Sequence, residues 1–424
     1  MCRRVVQKQM TPEIKRRIEQ IRSGKAPEGY VKIKDGVFPA DWTSKKMKQW
    51  ISFAERPVLL QDDNNYELVT VRRAYGGVDS RGIYKGRDIL VKTYFSVKKD
   101  DFVISKRQIA HGACGLVPEK LCGAVVSNEY NVFEGNDGTN IHFFNLMMQL
   151  PHYKRLFYLM SDGVHIEKLL FKTSDWMKRT LSMPSLAEQK KIAEILSAQD
   201  KQILLKEKLL AEKQRQKKCL MQQLLTGRKR IPGFSEKWVN VKLGDVFAER
   251  VETNCQDLEL LSVTGTNGVV PRSTIETKDN SSEDKSKYLK ICKGDIGYNT
   301  MRMWQGVSAL SEYEGIVSPA YTILIPSETI SAKYFSYLFK MHAVIFLFYR
   351  FSQGIVDDTR SLKYHEFAKL HLNVPSDKRE QEAIARILAV ADKEIEILQK
   401  DLDLEKQKKK ALMQLLLTGI VRTN

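Results

Sequence analysis

Two stretches of this chain place base-reading side chain types beside turn-forming glycines. YNTMRMWQG (298–306) sets Asn299, Arg302 and Gln305 around Trp304. An arginine can donate two parallel hydrogen bonds to guanine O6 and N7. An asparagine or glutamine can donate to N7 and accept from N6 of adenine, so these types in a loop can read base edges in a major groove. SVTGTNGVVPR (262–272), a Gly-rich loop between apolar runs, adds Thr264, Asn267 and Arg272. The corresponding places in the first half are VRRAYGGVDSRG (71–82), with Arg72 and Arg73, and ISKRQIAHG (104–112), with Lys106, Arg107 and Gln108. For each residue the plainer reading is a solvated loop or a phosphate contact, which orients a duplex without reading it. Trp304 would serve a core as readily as a stack.

Motifs that would make the chain an enzyme are missing from the sequence. The nearest string to a phosphate-binding loop, Arg22-Ser23-Gly24-Lys25-Ala26, lacks both the leading glycine and the closing hydroxyl. Methyl transfer to adenine needs an Asn/Asp-Pro-Pro-Tyr-type loop, and no Pro-Pro pair occurs. Glu188 to Lys190 and Glu276 to Lys278 have the Glu-x-Lys form of nuclease metal sites, a form that a Glu- and Lys-rich chain produces by chance. The histidines (111, 142, 152, 165, 342, 365 and 371) form no HExxH, and the six cysteines are too far apart for a zinc knuckle, so all are read as reduced thiols. The expectation is a non-catalytic chain with no cofactor and no metal.

Charge points to a polyanionic partner. The net charge is +18, and lysines and arginines at phosphates gain free energy by releasing condensed counterions. The excess is local: residues 1–34 carry 10 basic and 3 acidic side chains and residues 185–230 carry 12 and 5, whereas 231–375 carry 16 and 17. No run of about 18 apolar residues exists and no apolar segment follows the basic start MCRRVV, so a cytoplasmic location without membrane contact is expected.

The elements that would position these loops are legible in an internal repeat. Residues 188–227 align without gaps to 380–419, with 20 of 40 positions identical. The segment opening each globular part also repeats, Phe38 and Trp42 matching Phe234 and Trp238, and SDG (161–163) and SQG (352–354) each lead to a Pro-Ser, at 184–185 and 375–376. Between these anchors the copies diverge, so what they contact must differ. Ser185 with Glu188, and Asp377 with Glu380, have the spacing of a helix capping box, and Gly227 and Gly419 stand where helices end. Ile192, Leu196, Ile203, Leu210, Leu220 and Leu224 form a three/four-spaced stripe that Ile384, Leu388, Ile395, Leu402, Leu412 and Leu416 repeat. About forty residues at 1.5 Å each make a rod of roughly 60 Å, too long for one small domain to wrap, so the two helices are expected to cover one another antiparallel, with an internal pseudo-two-fold relation. Lys206, Lys213, Lys217, Glu405 and Lys409 interrupt the stripes and read either as snorkelling stems or as a face for a partner.

Pro-Ser followed by an EQxxIAxIL helix and a closing LMxxLLTG, twice, each after a globular part opened by a Phe-x-x-x-Trp segment, resembles the specificity subunit of type I restriction–modification systems. The resemblance spans about residues 11–424, with Met1–Met10 preceding the family's usual start. It implies an α/β (α+β) protein with two target recognition domains separated by two long antiparallel helices. It implies an N-terminal arm (1–34), recognition domains at 35–183 and 231–375, and spacer helices at 184–230 and 376–424. It further implies that each domain reads half of a bipartite double-stranded DNA target and that the helices set the unread gap. Modification (methyltransferase) subunits would dock on the helices, restriction subunits would join the full complex, and the free chain could form a homodimer. The rival expectation is a structural coiled-coil scaffold that reads no DNA.

Overall fold

The computed structural model describes residues 11–33, 36–91, 93–163, 169–265, 267–275, 281–356 and 359–423. Met1–Met10 with Cys2, His165 and the Glu276–Lys278 string lie outside them. Helices and strands are mixed, and the chain divides into two compact units, residues 1–206 with 401–424 and residues 207–400. Each unit thus holds one globular part, the adjoining half of its own long helix and the facing half of the other. The long helices run Leu186–Leu224 and Lys378–Leu416.

The first unit is built on an antiparallel four-stranded sheet ordered Cys114–Leu116, Phe102–Ser105, Tyr130–Gly135, Ile51–Phe53. A five-stranded mixed sheet accompanies it, in which Val125 and Leu68 pair in parallel. Phe102–Ser105 is buried at all four residues, the apolar run Phe102, Val103 and Ile104 ending on Ser105. Trp176, fully buried, is ringed by Phe133, Phe144, Phe157 and Phe171 at 5.7–6.4 Å between ring centroids. Such aromatics bury the largest apolar areas available to a core.

The second unit repeats the four-stranded order with Ser308–Leu310, Ile296–Asn299, Tyr321–Pro326 and Phe247–Glu249. In place of the five-stranded sheet it has two hairpin-sized pairs, Leu261–Thr264 with Gly268–Pro271 and Leu289–Ile291 with Gly315–Val317. The repeat therefore continues beneath the divergent sequence: the scaffold sheet is kept and the outlying strands are not.

Inside each unit the helices run antiparallel. In the first, Gln199 Nε2 donates to Glu405 Oε2 at 2.7 Å, Lys206 Nζ reaches Asp401 at 2.6 Å and Glu405 at 3.0 Å, and Lys409 meets Asp200 at 2.6 Å. In the second, Lys213 pairs with Glu394 at 2.8 Å and Lys217 with Asp392. The Lys217–Asp392 pair is the repeat image of Lys409–Asp200. The lysines that interrupt the stripes therefore neither snorkel freely nor offer themselves to a partner; they bond across the helix pair. Half-exposed pairs of this kind contribute about 1 kcal/mol or less each, so their main effect is to select register.

The stripe itself has two destinations. Ile203, Leu210 and Leu402 are buried along the rod and Ile395 is half-buried. The helix ends instead enter the globular cores. Ile192 and Leu196 join the first core together with Leu416, with Leu412 packed against it, while Ile384 and Leu388 join the second with Leu224, with Leu220 packed against it. The two helices covering each other describes only their middles, because the apolar side chains at the ends have a larger aromatic surface to bury against.

The capping boxes are half formed. Ser185 Oγ accepts from Glu188 N at 3.3 Å, and Asp377 Oδ1 accepts from Arg379 N at 2.8 Å. The glutamates do not reach back to the caps. Glu188 binds Arg422 through Oε1–Nε and Oε2–Nη2 at 2.9 and 2.8 Å, and Glu380 binds Arg230 at 2.7 and 2.8 Å. A guanidinium fork satisfies both carboxylate oxygens at once, which a single backbone N–H cannot. The neighbouring glutamines tie the helix starts to the globular parts: Gln189 Oε1 accepts from Asn140 N at 2.8 Å and Gln381 Oε1 from Ser331 N at 2.9 Å.

Candidate nucleic-acid interface

The loops picked out at 104–112 and 298–306 have the same backbone. Ser105 N–H donates to Ala113 O as Asn299 N–H donates to Val307 O, both at 3.1 Å. Gln108 donates to Ser105 O and Arg302 to Asn299 O, His111 to Gln108 O and Gln305 to Arg302 O, and Gly112 to Ile109 O and Gly306 to Met303 O. Each loop makes one 3-10 turn, Ile109–His111 or Met303–Gln305, and closes on a left-handed glycine, Gly112 at φ 76° or Gly306 at φ 78°. An arginine and aspartate brace the base of each sheet in matching fashion. Arg56 grips Asp101 at 2.6 and 3.1 Å, and Arg250 grips Asp295 at 2.8 and 3.2 Å. On this common frame the outward residues differ: Arg107 is exposed on the first, Arg302 and Gln305 on the second.

The hairpins singled out beside these loops pack against them. In the first unit Ala74 N–H donates to His111 O and Tyr75 N–H to Gly112 O, both at 2.8 Å. Ala74 and Tyr75 hold φ of 55° and 59°, consecutive left-handed residues without a glycine, an arrangement that costs of order 1–3 kcal/mol each and persists only where neighbours enforce it. In the second unit the hairpin tip at Gly265 faces Val307. Thr264 Oγ1 accepts from Asn267 N and donates to Gly268 O, both at 2.9 Å.

The candidate residues accordingly fall into three groups. Arg72 and Arg73 are exposed, Arg72 paired with Asp79; Arg107 is exposed and bonded to Glu129 at 2.6 Å; Asn267, Arg302 and Gln305 face outward. Lys106 and Arg272 are half-buried. Thr264, Asn299, Gln108 and Trp304 build the loops. Asn299 Oδ1 accepts from Met301 N at 3.0 Å, Gln108 turns its Oε1 into the protein, and Trp304 donates its indole N–H to Met301 O at 2.9 Å. Trp304 packs edge-on to Tyr349, over which the Arg360 guanidinium lies 4.2 Å from the ring centroid. Tyr349 and Arg360 escaped sequence reading because nothing local marks them; they are recruited by packing from other segments, whereas Ala74 and Tyr75 lie within the stretch 71–82.

Gly112 and Gly306 offer a direct check on the frame. A Cβ at Gly112 would stand 3.0 Å from the Tyr75 ring, and at Gly306 2.7 Å from Ile345 Cδ1, besides the left-handed backbone. Gly112→Ala and Gly306→Ala should each lower stability by about 1–2 kcal/mol, read as denaturant midpoints, against little change for the control Gly135→Ala, an exposed strand-end glycine outside the loops whose φ is not positive and whose added Cβ would meet only ordinary contacts.

Among the described residues no group of three or more His, Cys, Asp or Glu side chains is placed to hold a metal, and no helix is long and apolar enough to cross a membrane. Cys114, Cys122, Cys219, Cys255 and Cys292 are free thiols, and burial pushes Cys114 up to about 12.

Comparison with known proteins settles the family. Residues 26–213 and 235–406 match the family described as the type I restriction modification DNA specificity domain, once per globular unit. The chain belongs to that family. This specificity protein is similar in fold to the S subunit of a type I restriction–modification system from M. genitalium, at a TM-score of 0.55 and 14% identity over 88% of this chain and 96% of that one. It is also similar to a chain from a study of complex assembly and conformational transition in the type I R-M system, at 0.54 and 14% over 91% and 99%. By its family the chain is a DNA sequence-specificity subunit whose partners are DNA and a restriction–modification complex, and that family is generally non-catalytic; the scaffold alternative is not favoured.

Proposed function

We propose that each globular unit reads one half of a bipartite duplex target through its hairpin and its 3-10 loop, and that the long helices set the unread gap. The carrying observation is the shared loop frame with dissimilar outward side chains, which is what two readers of different half-sites require. Arg72, Arg73, Lys106 and Arg107 would face the first half-site and Asn267, Arg272, Arg302 and Gln305 the second, with Gln108, Thr264, Asn299 and Trp304 holding the loops in shape. The chain itself carries no catalysis, cofactor or metal in this reading. Modification subunits supply methyl transfer and dock on the long helices, where Leu204, Leu205, Leu209, Val390, Ile397 and Leu404 leave apolar side chains exposed. Restriction subunits complete the assembly, which works in the cytoplasm; without partners the exposed apolar side chains of the long helices support a homodimer.

The test is to co-express the chain with its cognate modification subunit and map methylated bases across the host genome. A split motif with a constant unread gap is the expected result. A continuous motif would refute two-domain reading, and no methylation above a control lacking the chain would return the scaffold.

A further inference from the structure

A half-buried lysine outside the reading loops closes the second of them. Lys340 follows the helix Ala332–Leu338, and its Nζ donates to Gly306 O at 2.7 Å and Ser308 O at 2.6 Å, across the turn that ends the Asn299–Ser308 loop. Burial pushes its ammonium down to about 8, and desolvation is the cause; carbonyl dipoles, not a carboxylate, meet the charge. Removing an ammonium from water is costly, and a methionine stem would fill the same space without that cost.

The first unit meets the same need differently. Gly112 O, the counterpart of Gly306 O, accepts the backbone N–H of Tyr75 at the strained hairpin tip. The residue in the place of Lys340 is Gln149, nine positions after the helix cap Asn140 as Lys340 is nine after the cap Ser331, and it makes no such clamp among the described residues. In the second unit no backbone N–H of the described hairpin residues bonds to Gly306 O, and the tip at Gly265 faces Val307. One carbonyl at the exit of each loop, besides accepting the N–H two residues on (Cys114 or Ser308), is thus held from a distant segment in both units, by a strained backbone in one and a half-buried cation in the other.

Resting on the two-reader function above, we propose that Lys340 is a positioning residue for recognition of the second half-site, fixing the exit of the 299–308 loop so that Arg302 and Gln305 keep their aim. It acts through the loop backbone and touches no DNA. Side chains must be held within a fraction of an ångström to discriminate base edges, so a loosened loop loses specificity before it loses affinity.

Full-length wild type, Lys340→Met and Lys340→Gln, the latter copying the first unit, are each assembled with the modification subunit and assayed well below their melting temperatures. Methylation of targets with single mismatches in either half reads discrimination. The expected result is a loss of about tenfold or more at one half-site only, with the other half unchanged and the salt dependence of binding unaltered. Equal loss in both halves, or none, overturns the proposal while leaving the two-reader function standing. A salt slope lower by about one unit would make Lys340 a phosphate contact and overturn it too. A wild-type complex that methylates no split motif removes both.

Discussion

Replacing Arg422 by methionine should destabilise the first unit by about 3–5 kcal/mol, because it strands a buried carboxylate. Glu188 is 6% exposed in its side chain and takes both oxygens to the Arg422 guanidinium, which also holds Asp41. Asp41 is 63% exposed and contributes little, so Asp41→Ala should cost less than about 1 kcal/mol. The charge left behind, more than the lost contact, carries the effect. Arg422→Met combined with Glu188→Leu should therefore recover much of the loss. Arg230→Met should do the same to the second unit, where Glu380 is 1% exposed. Thermal unfolding of the full chain reads these effects, with a midpoint for the unit concerned lower by roughly 10 °C. Equal melting of Arg422→Met and Asp41→Ala would show that Glu188 finds another partner or takes up a proton.

Inserting four residues into both long helices, after Lys206 and after Lys400, should lengthen the unread gap of the methylated motif by one to two base pairs. The two compact units divide at those points, so an insertion there changes neither globular core. Four residues add one turn and about 6 Å, return the apolar stripe to within about 40° of its original face, and compare with about 3.4 Å per base pair. Both half-site sequences should stay as they were. Genome-wide methylation mapping distinguishes a longer gap from an altered half-site; an unchanged gap would mean that DNA bending or domain tilt, not helix length, sets the spacing.

Much of the scaffold was legible because it rests on local rules. A 3.6-residue apolar period, caps at Ser185 and Asp377, and glycines at 227 and 419 mark the long helices, and the repeat shows that whatever one does the other does. The Arg–Glu latches were nearly legible: Arg230 and Arg422 lie at the repeat offset, three residues beyond the aligned block. They were missed because the same glutamates fit a capping box, and only three-dimensional proximity decides between a backbone donor and a guanidinium. The loops at 104–112 and 298–306 were found from their side chain types, but Asn299, Gln108 and Trp304 could not be separated from Arg302 and Gln305, since an amide or indole serves a turn or a base edge with equal chemistry.

The sequence by itself determined that the protein is two divergent globular parts on a duplicated helical frame, because periodicity, caps and self-similarity are written in neighbouring residues. Only the tertiary structure decided which carbonyl each loop must have held, and by what: Tyr75 N–H for Gly112, Lys340 Nζ for Gly306. Those bonds join residues some 35 positions apart, and which buried polar groups need partners is a property of the packed interior that no local pattern encodes.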